Sequence, residues 1–144
     1  MKVRAATKSD TDVILSLLYD LGRPKPRTKS QKEMFEKLVI QYLKQKQITV
    51  AEISSEVVGM INMILVPRLN QTKLELYIPE LIVSPNHRKM GIGRALINHA
   101  ISVAKKKKCY RIRLESGHTR KESHKFYSHL GFDQYAKTFK LDLP

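Results

Sequence analysis

The chain has one cysteine, few acidic residues and no long apolar run, and each shortage excludes a class of protein. With Cys109 as the only cysteine among 144 residues, no internal disulfide can form, which is compatible with a reducing cytoplasm. The N-terminus begins Met1-Lys-Val-Arg and continues without an apolar stretch, so no signal peptide is expected. No run is long enough to span a bilayer, and we therefore expect a cytoplasmic protein without a membrane partner.

Acidic residues are scarce beside basic ones. The chain has 13 acidic and 27 basic residues, and its formal net charge is +14. A field of this sign attracts anions, and the candidates are nucleic acid, an anionic membrane and a phosphate-rich cofactor. A general adaptation to solubility explains the charge equally well, so the charge alone does not choose a partner.

Apolar residues are plentiful and regularly spaced. They make up 42% of the chain without a long polar tract, which predicts a packed core. No repeat or linker divides the sequence, so we expect one domain over residues 1–144. Apolar spacing and turn residues predict ten elements. These are a strand at 2–6, a helix between Ser9 and Gly22, a helix from Ser30, strands at 47–53, 57–66 and 73–83, a helix at 91–107, a strand at 109–115, a helix at 119–130 and a strand at 132–143.

The order of these elements is β-α-α-β-β-β-α-β-α-β, and a mixed sheet with helices on both faces is its natural packing. The third long strand contains Pro79, which cannot donate to a sheet ladder. We therefore predict an irregularity at residues 78–80 that turns Glu80 towards a cleft and opens a gap between this strand and residues 109–115.

A glycine-containing loop lies between that strand and the helix at 91–107. Gly91 and Gly93 allow a ligand to approach the backbone closely, and the first amides of the helix have no partner within it. Arg88, Lys89 and Arg94 add positive charge, so the loop is predicted to bind phosphate. It is neither a P-loop nor a dinucleotide fingerprint, because Gly-Lys-Ser/Thr and a third glycine are both missing.

Two motifs resemble those of the Gcn5-related N-acetyltransferases (GNAT). One is Arg88-x-x-Gly91-x-Gly93 after Leu81-Ile82-Val83-x-Pro85, and the other is Ser123-x-x-Phe126-Tyr127-x-x-x-Gly131-Phe132. The resemblance covers nearly the whole chain, because the element order fits as well. It implies an α/β (α+β) fold with a mixed, mostly antiparallel sheet. It also implies direct transfer of an acetyl group from acetyl-CoA to a primary amine of a small molecule, in a ternary complex.

The resemblance also assigns the cofactor-binding positions. The strand end is expected to pair with the pantetheine arm, the loop to hold the pyrophosphate, and a small residue on the last helix to lie close to the cofactor. These positions are Leu81, Ile82, Val83, Arg88, Lys89, Met90, Gly91, Ile92, Gly93, Arg94 and Ser123. Arg120 stands where the family often has asparagine, which puts that contact with the cofactor arm in doubt.

Two residues match catalytic positions of the family. Tyr127 corresponds to the tyrosine near the thioester sulfur, where a phenol can donate to the departing thiolate. Glu80 corresponds to an acid that takes a proton from the attacking ammonium, directly or through water. A packing role for Tyr127 beside Phe126 and a structural ion pair for Glu80 are the alternatives. The spacing of the five histidines does not match a metalloprotease pattern, and we expect no metal.

The acceptor is less well specified. The linker Leu21–Arg27 is basic and stiffened by two prolines, which suits an acidic group on the acceptor. Residues 57–60 and 80–83 also loosely resemble aminoalkylphosphonate acetyltransferases. A protein or peptide amine stays open, as does a homodimer. In another class, the chain could be a nucleic-acid-binding or CoA-sensing domain on a degenerate fold. Nucleic acid is disfavoured, because the basic residues are spread along the chain.

Overall fold

The computed structural model describes all residues, 1–144, and divides into two compact units, Met1–Arg113 and Leu114–Pro144. Most of the regular structure lies in the first unit, and the second unit holds the last helix and the residues that follow it. Along the chain the elements are β1 (Lys2–Ala5), α1 (Thr11–Asp20), α2 (Lys29–Lys44), β2 (Ile48–Ile53), β3 (Glu56–Asn62), β4 (Ile64–Pro67), β5 (Leu74–Ile78), β6 (Leu81–Val83), α3 (Ile92–Lys106), β7 (Arg111–Leu114) and α4 (Lys121–His129). None of these helices is both long and apolar enough to cross a membrane.

The strands form two sheets. The first has the order β1-β2-β3-β6 with all its pairs antiparallel, and the second has the order β4-β5-β7 with β4 and β5 antiparallel. Successive strand side chains point to opposite faces, and the first sheet uses both. Met60 and Val50 pack in a cluster with residues of α1 and α2. The next position, Gly59, faces Ile92 and Leu96 of α3. The predicted fold class, a mostly antiparallel α/β arrangement with helices on both faces, is confirmed.

The predicted irregularity in the third long strand is confirmed. The strand is divided at Pro79 and Glu80 into β5 and β6, which belong to different sheets. The neighbouring strand is divided too, at Met63, between β3 and β4. The Glu80 carbonyl accepts a hydrogen bond from the Asn62 amide at 2.9 Å, so the two chains stay paired across the break. β6 then pairs with β3 only, whereas β7 pairs with β5, so the other edge of β6 has no strand partner.

Helix ends follow local chemistry, with some corrections. Gly22 ends α1 with φ of 91°, as expected, because glycine adopts this conformation without steric cost. A capping box formed by Thr7 and Asp10 precedes α1. Thr28 caps α2 by accepting from the Gln31 amide, so that helix starts before Ser30.

The strand predicted at residues 132–143 is wrong. No residue after α4 has regular structure, and Tyr135, Phe139, Leu141 and Leu143 are exposed. Alternating apolar residues fit a strand, but a strand exists only where a neighbour supplies hydrogen bonds, and this segment has none.

Gly59 is predicted to be essential for the contact between α3 and the first sheet. A Cβ atom there would lie 3.0 Å from the Ile82 carbonyl oxygen and 3.2 Å from a methyl carbon of Ile92. Because a backbone atom cannot move aside easily, Gly59→Ala should lower the free energy of unfolding by about 1–3 kcal/mol. Urea denaturation measures this. Gly117→Ala is the matched control, since its Cβ would lie 3.8 Å from the nearest atom. An equal loss in both variants would contradict the packing argument.

Candidate active site

The free edge of β6 offers backbone hydrogen bonds to a ligand. The Glu80 carbonyl and the Ser84 amide both point to β3, bonding Asn62 and Val58 respectively. In an antiparallel ladder, the direction of the backbone groups alternates from residue to residue. Leu81 and Val83 therefore point their N–H and C=O groups to the open side, where no strand pairs with them. Ile82 instead buries its side chain in the core cluster.

The loop after β6 has the backbone of an anion-binding turn. Lys89 and Gly91 both adopt positive φ, 62° and 80°, with Gly91 at the N-cap of α3. The first amide of α3 to donate within the helix is that of Ala95, which bonds the Gly91 carbonyl at 3.0 Å. The amides before it have no helical partner and lie at the positive end of the helix dipole. A Cβ on Gly91 would meet no atom within 4 Å, so the space above this loop is open.

The side chains of the loop surround this turn with positive charge. Arg88, Lys89 and Arg94 are exposed, and the segment from residue 88 to 94 contains no acidic residue. Met90 is exposed as well, whereas Ile92 is buried and anchors the start of α3 against the first sheet. Gly93 is half-buried on the first turn. The loop can therefore hold a polyanion through both backbone amides and cationic side chains.

Glu80 is held by an arginine that sequence reasoning did not single out. Arg23, in the linker between α1 and α2, donates to it from Nε at 3.1 Å and from Nη2 at 2.9 and 2.7 Å. The carboxylate is 18% exposed and the guanidinium 51% exposed. The ion pair proposed as the alternative role for Glu80 thus exists, and its partner comes from the basic linker already associated with the acceptor.

A second carboxylate, on β5, is structural. Glu75 is fully buried and accepts from Arg111 and Arg113, with Arg68 at 3.9 Å. Burial alone would raise the pKa of this carboxyl, but hydrogen bonds from the two β7 arginines outweigh burial and lower it. One buried carboxylate and two arginines therefore hold β5 and β7 together.

In the second unit, α4 carries Ser123 and Tyr127 four residues apart, which places them on one face of the helix. The Tyr127 ring makes edge-on contacts with Phe126 and Phe132 at 5.2 and 5.7 Å. Burial raises the pKa of the phenol above its ordinary value, against a smaller lowering effect from Arg120. Tyr127 therefore keeps its proton at neutral pH and can donate it.

The start of α4 departs from expectation. The helix predicted from residue 119 begins only after Arg120, whose side chain makes no capping hydrogen bond. Arg120 is exposed where the family often has asparagine.

In the first unit, a free strand edge thus leads directly into a basic, glycine-containing helix start. The model of the acetyltransferase (GNAT) family matches residues 14–132. The chain belongs to the GNAT family. Enzymes of this family use acetyl-CoA as the acetyl donor.

GNAT relatives are found among both sequences and structures. An uncharacterised N-acetyltransferase of Methanocaldococcus jannaschii is 31% identical over 92% of the chain, and glucosamine 6-phosphate N-acetyltransferase of Trypanosoma brucei brucei is 29% identical over 62%. The chain spans 60% of the length of each of these two relatives. A transcriptional regulator of Bacillus halodurans has the same fold, with a TM-score of 0.90, 27% identity and 99% of both chains covered.

Proposed function

We propose that this protein is an acetyl-CoA-dependent N-acetyltransferase that acetylates a primary amine, and that its two units act as one catalytic domain. The observation that carries the proposal is the direct passage from the open edge of β6 into the basic turn that starts α3. An extended arm with amide groups can pair with a strand edge, and phosphates can bind a helix start, in the same order along one ligand. Coenzyme A has this construction.

In this proposal, Leu81 and Val83 hold the pantetheine arm through their backbone groups, while Ile82 anchors the strand. The residues from Arg88 to Arg94 bind the pyrophosphate, and their charge favours the ligand before contact. The absence of a Cβ on Gly91 leaves room for a phosphate above the turn. Ser123 is half-buried on α4, where a small side chain allows close approach of the cofactor arm.

Bound acetyl-CoA supplies a thioester carbonyl that a neutral amine can attack. Glu80 accepts the proton that the ammonium must lose before nitrogen has a free lone pair. Tyr127 donates a hydrogen bond or proton to the sulfur as the thiolate leaves. Glu80 thus acts on the attacking amine and Tyr127 on the departing thiolate, and no covalent bond to the protein is needed.

The acceptor is proposed to be a small molecule. Support comes from the named substrate of the Trypanosoma relative, a phosphorylated amino sugar, and from the basic linker between α1 and α2. A second candidate, a nucleic-acid-binding regulator, is favoured by the transcriptional regulator with the same fold, and the charge of +14 is compatible with it. Nucleic-acid binding that weakens steeply with salt would support that second function.

The test is release of CoA thiol when the purified chain is mixed with acetyl-CoA and a panel of amines. Glucosamine, glucosamine 6-phosphate, polyamines and peptides with free N-termini cover the acceptor classes. Cys109 contributes a thiol of its own, so a reaction without acetyl-CoA is the blank. Burial raises the pKa of this thiol, which slows its reaction with the thiol-detecting reagent. We expect turnover with at least one amine, and its complete absence from a broad panel would contradict the proposal.

A further inference from the structure

The ion pair between Arg23 and Glu80 has a consequence for the kind of acceptor that can react. Three hydrogen bonds from Arg23 reach the carboxylate, through both of its oxygens. A carboxylate has about four acceptor positions in total. Glu80 therefore has little capacity left for an incoming ammonium while Arg23 holds it.

The charge of Arg23 acts in the same direction. The guanidinium lies within 3.1 Å of the carboxylate oxygens, so an ammonium approaching Glu80 also approaches a like charge. Like charges at such distances repel unless water or a counter-ion separates them. A simple amine thus meets a site whose negative charge is already neutralised.

The residue whose backbone amide bonds the Glu80 carbonyl carries a side-chain oxygen without a partner. Asn62 and Glu80 lie one position beyond the last pair of the β3–β6 ladder, joined by the backbone hydrogen bond, and residues opposite each other share a face of the sheet. The Oδ1 atom of Asn62 is buried and has no hydrogen-bond partner. A buried polar atom without a partner is costly, so an N–H donor delivered by a ligand would relieve that cost.

The linker that carries Arg23 is suited to anions. It contains Arg23, Lys25 and Arg27 and no acidic residue. Lys25 and Arg27 also line a shallow cavity of about 330 Å³ against the first turns of α2. Arginine binds phosphate and carboxylate groups through two parallel hydrogen bonds, so it can exchange one anion for another.

We propose that the acceptor is zwitterionic, and that its anionic group binds Arg23 and thereby releases Glu80 for the amine. This inference rests on the proposed function. The anionic group binds the Arg23 guanidinium, and the ammonium then donates hydrogen bonds to Glu80 and Asn62. One proton moves from the ammonium nitrogen to a Glu80 oxygen. The exchange replaces one arginine–anion pair with another of the same kind, so it costs less than breaking the pair outright. Arg23 is the residue that selects the substrate.

The test uses two acceptors that differ only in the anion, phosphoethanolamine and ethanolamine. The wild type should prefer phosphoethanolamine in kcat/KM, and Arg23→Gln should reduce that preference by about 10- to 100-fold, the range for hydrogen bonds to charged groups. Arg23→Lys keeps the positive charge but loses the two parallel N–H donors of the guanidinium, so it should restore part of the preference. Lys37→Gln, on the exposed face of α2, removes the same charge and should leave the preference unchanged.

A binding measurement separates this inference from the proposed function. In NMR spectra of arginine side chains, the Nε–H signal of Arg23 is assigned as the one that is missing from Arg23→Lys. Adding phosphoethanolamine to the wild type should shift this signal. If the wild type acetylates amines but its preference survives Arg23→Gln, the inference is wrong and the function stands. If no amine is acetylated, the function fails, and an unshifted Arg23 signal would then overturn the inference as well.

Discussion

Replacing Tyr127 with phenylalanine is expected to lower turnover at saturating acetyl-CoA by about 10²- to 10⁴-fold, the usual contribution of a general acid. The change removes only the hydroxyl, so the ring contacts with Phe126 and Phe132 remain and the fold should not suffer. Because the hydroxyl acts on charge that appears at sulfur during transfer, its loss affects the transition state more than the bound cofactor.

Steady-state kinetics and the dissociation constant for acetyl-CoA measure this prediction together. Tyr135→Phe makes the same chemical change in the exposed C-terminal segment and should leave turnover unaltered. If Tyr127 has only a packing role, Tyr127→Phe should keep turnover close to wild type, because the ring is retained. Unchanged turnover would therefore refute the catalytic assignment.

Acetyl-CoA is expected to raise the melting temperature of the wild type, and Gly91→Asn should abolish that rise. A ligand present at a hundred times its dissociation constant stabilises by about 2.7 kcal/mol. For a chain of this length the rise corresponds to roughly 5–10 °C. Asparagine tolerates the positive φ of residue 91, so the variant should fold, but its side chain would fill the open space above the turn.

Gly22→Asn provides the matched control for this experiment. Gly22 has a similar φ of 91° and also has no atom within 4 Å of the Cβ position, but it lies at the end of α1. The control should keep the acetyl-CoA shift. If the wild type shows no shift at saturation, the assignment of the Arg88–Arg94 turn as a cofactor site is wrong. If Gly91→Asn keeps the shift, the ligand does not occupy the space above residue 91.

The parts of this molecule that could be predicted from sequence are those governed by local chemistry. Pro79 has no N–H to donate, so a break in the strand followed from one residue. The positive charge and open amides at the start of α3 followed from glycines and basic residues within a few positions of one another. Helix starts were placed within two residues, and the errors came from choosing between neighbouring polar residues that can all cap.

The parts that could not be predicted depend on contacts distant in sequence. Arg23 and Glu80 are 57 positions apart, and nothing in the sequence distinguishes Arg23 from the other basic residues of its linker. Burial of Glu75 beneath the β7 arginines is of the same kind. Apolar residues alternate in residues 132–143, and this pattern predicted a strand. The prediction failed because alternation shows only which side chains would share a face and not whether a neighbouring strand exists.

The open edge of β6 also bears on aggregation. Unpaired strand edges attract strands from other molecules, and proteins limit this by keeping such edges short or by placing proline on them. Here the edge extends over the three residues of β6, between Pro79 and Pro85, neither of which has an N–H group. A strand from another molecule could pair with only three residues here, whereas three residues are enough for a small ligand that carries amide groups. The two prolines therefore make the edge selective for a short partner.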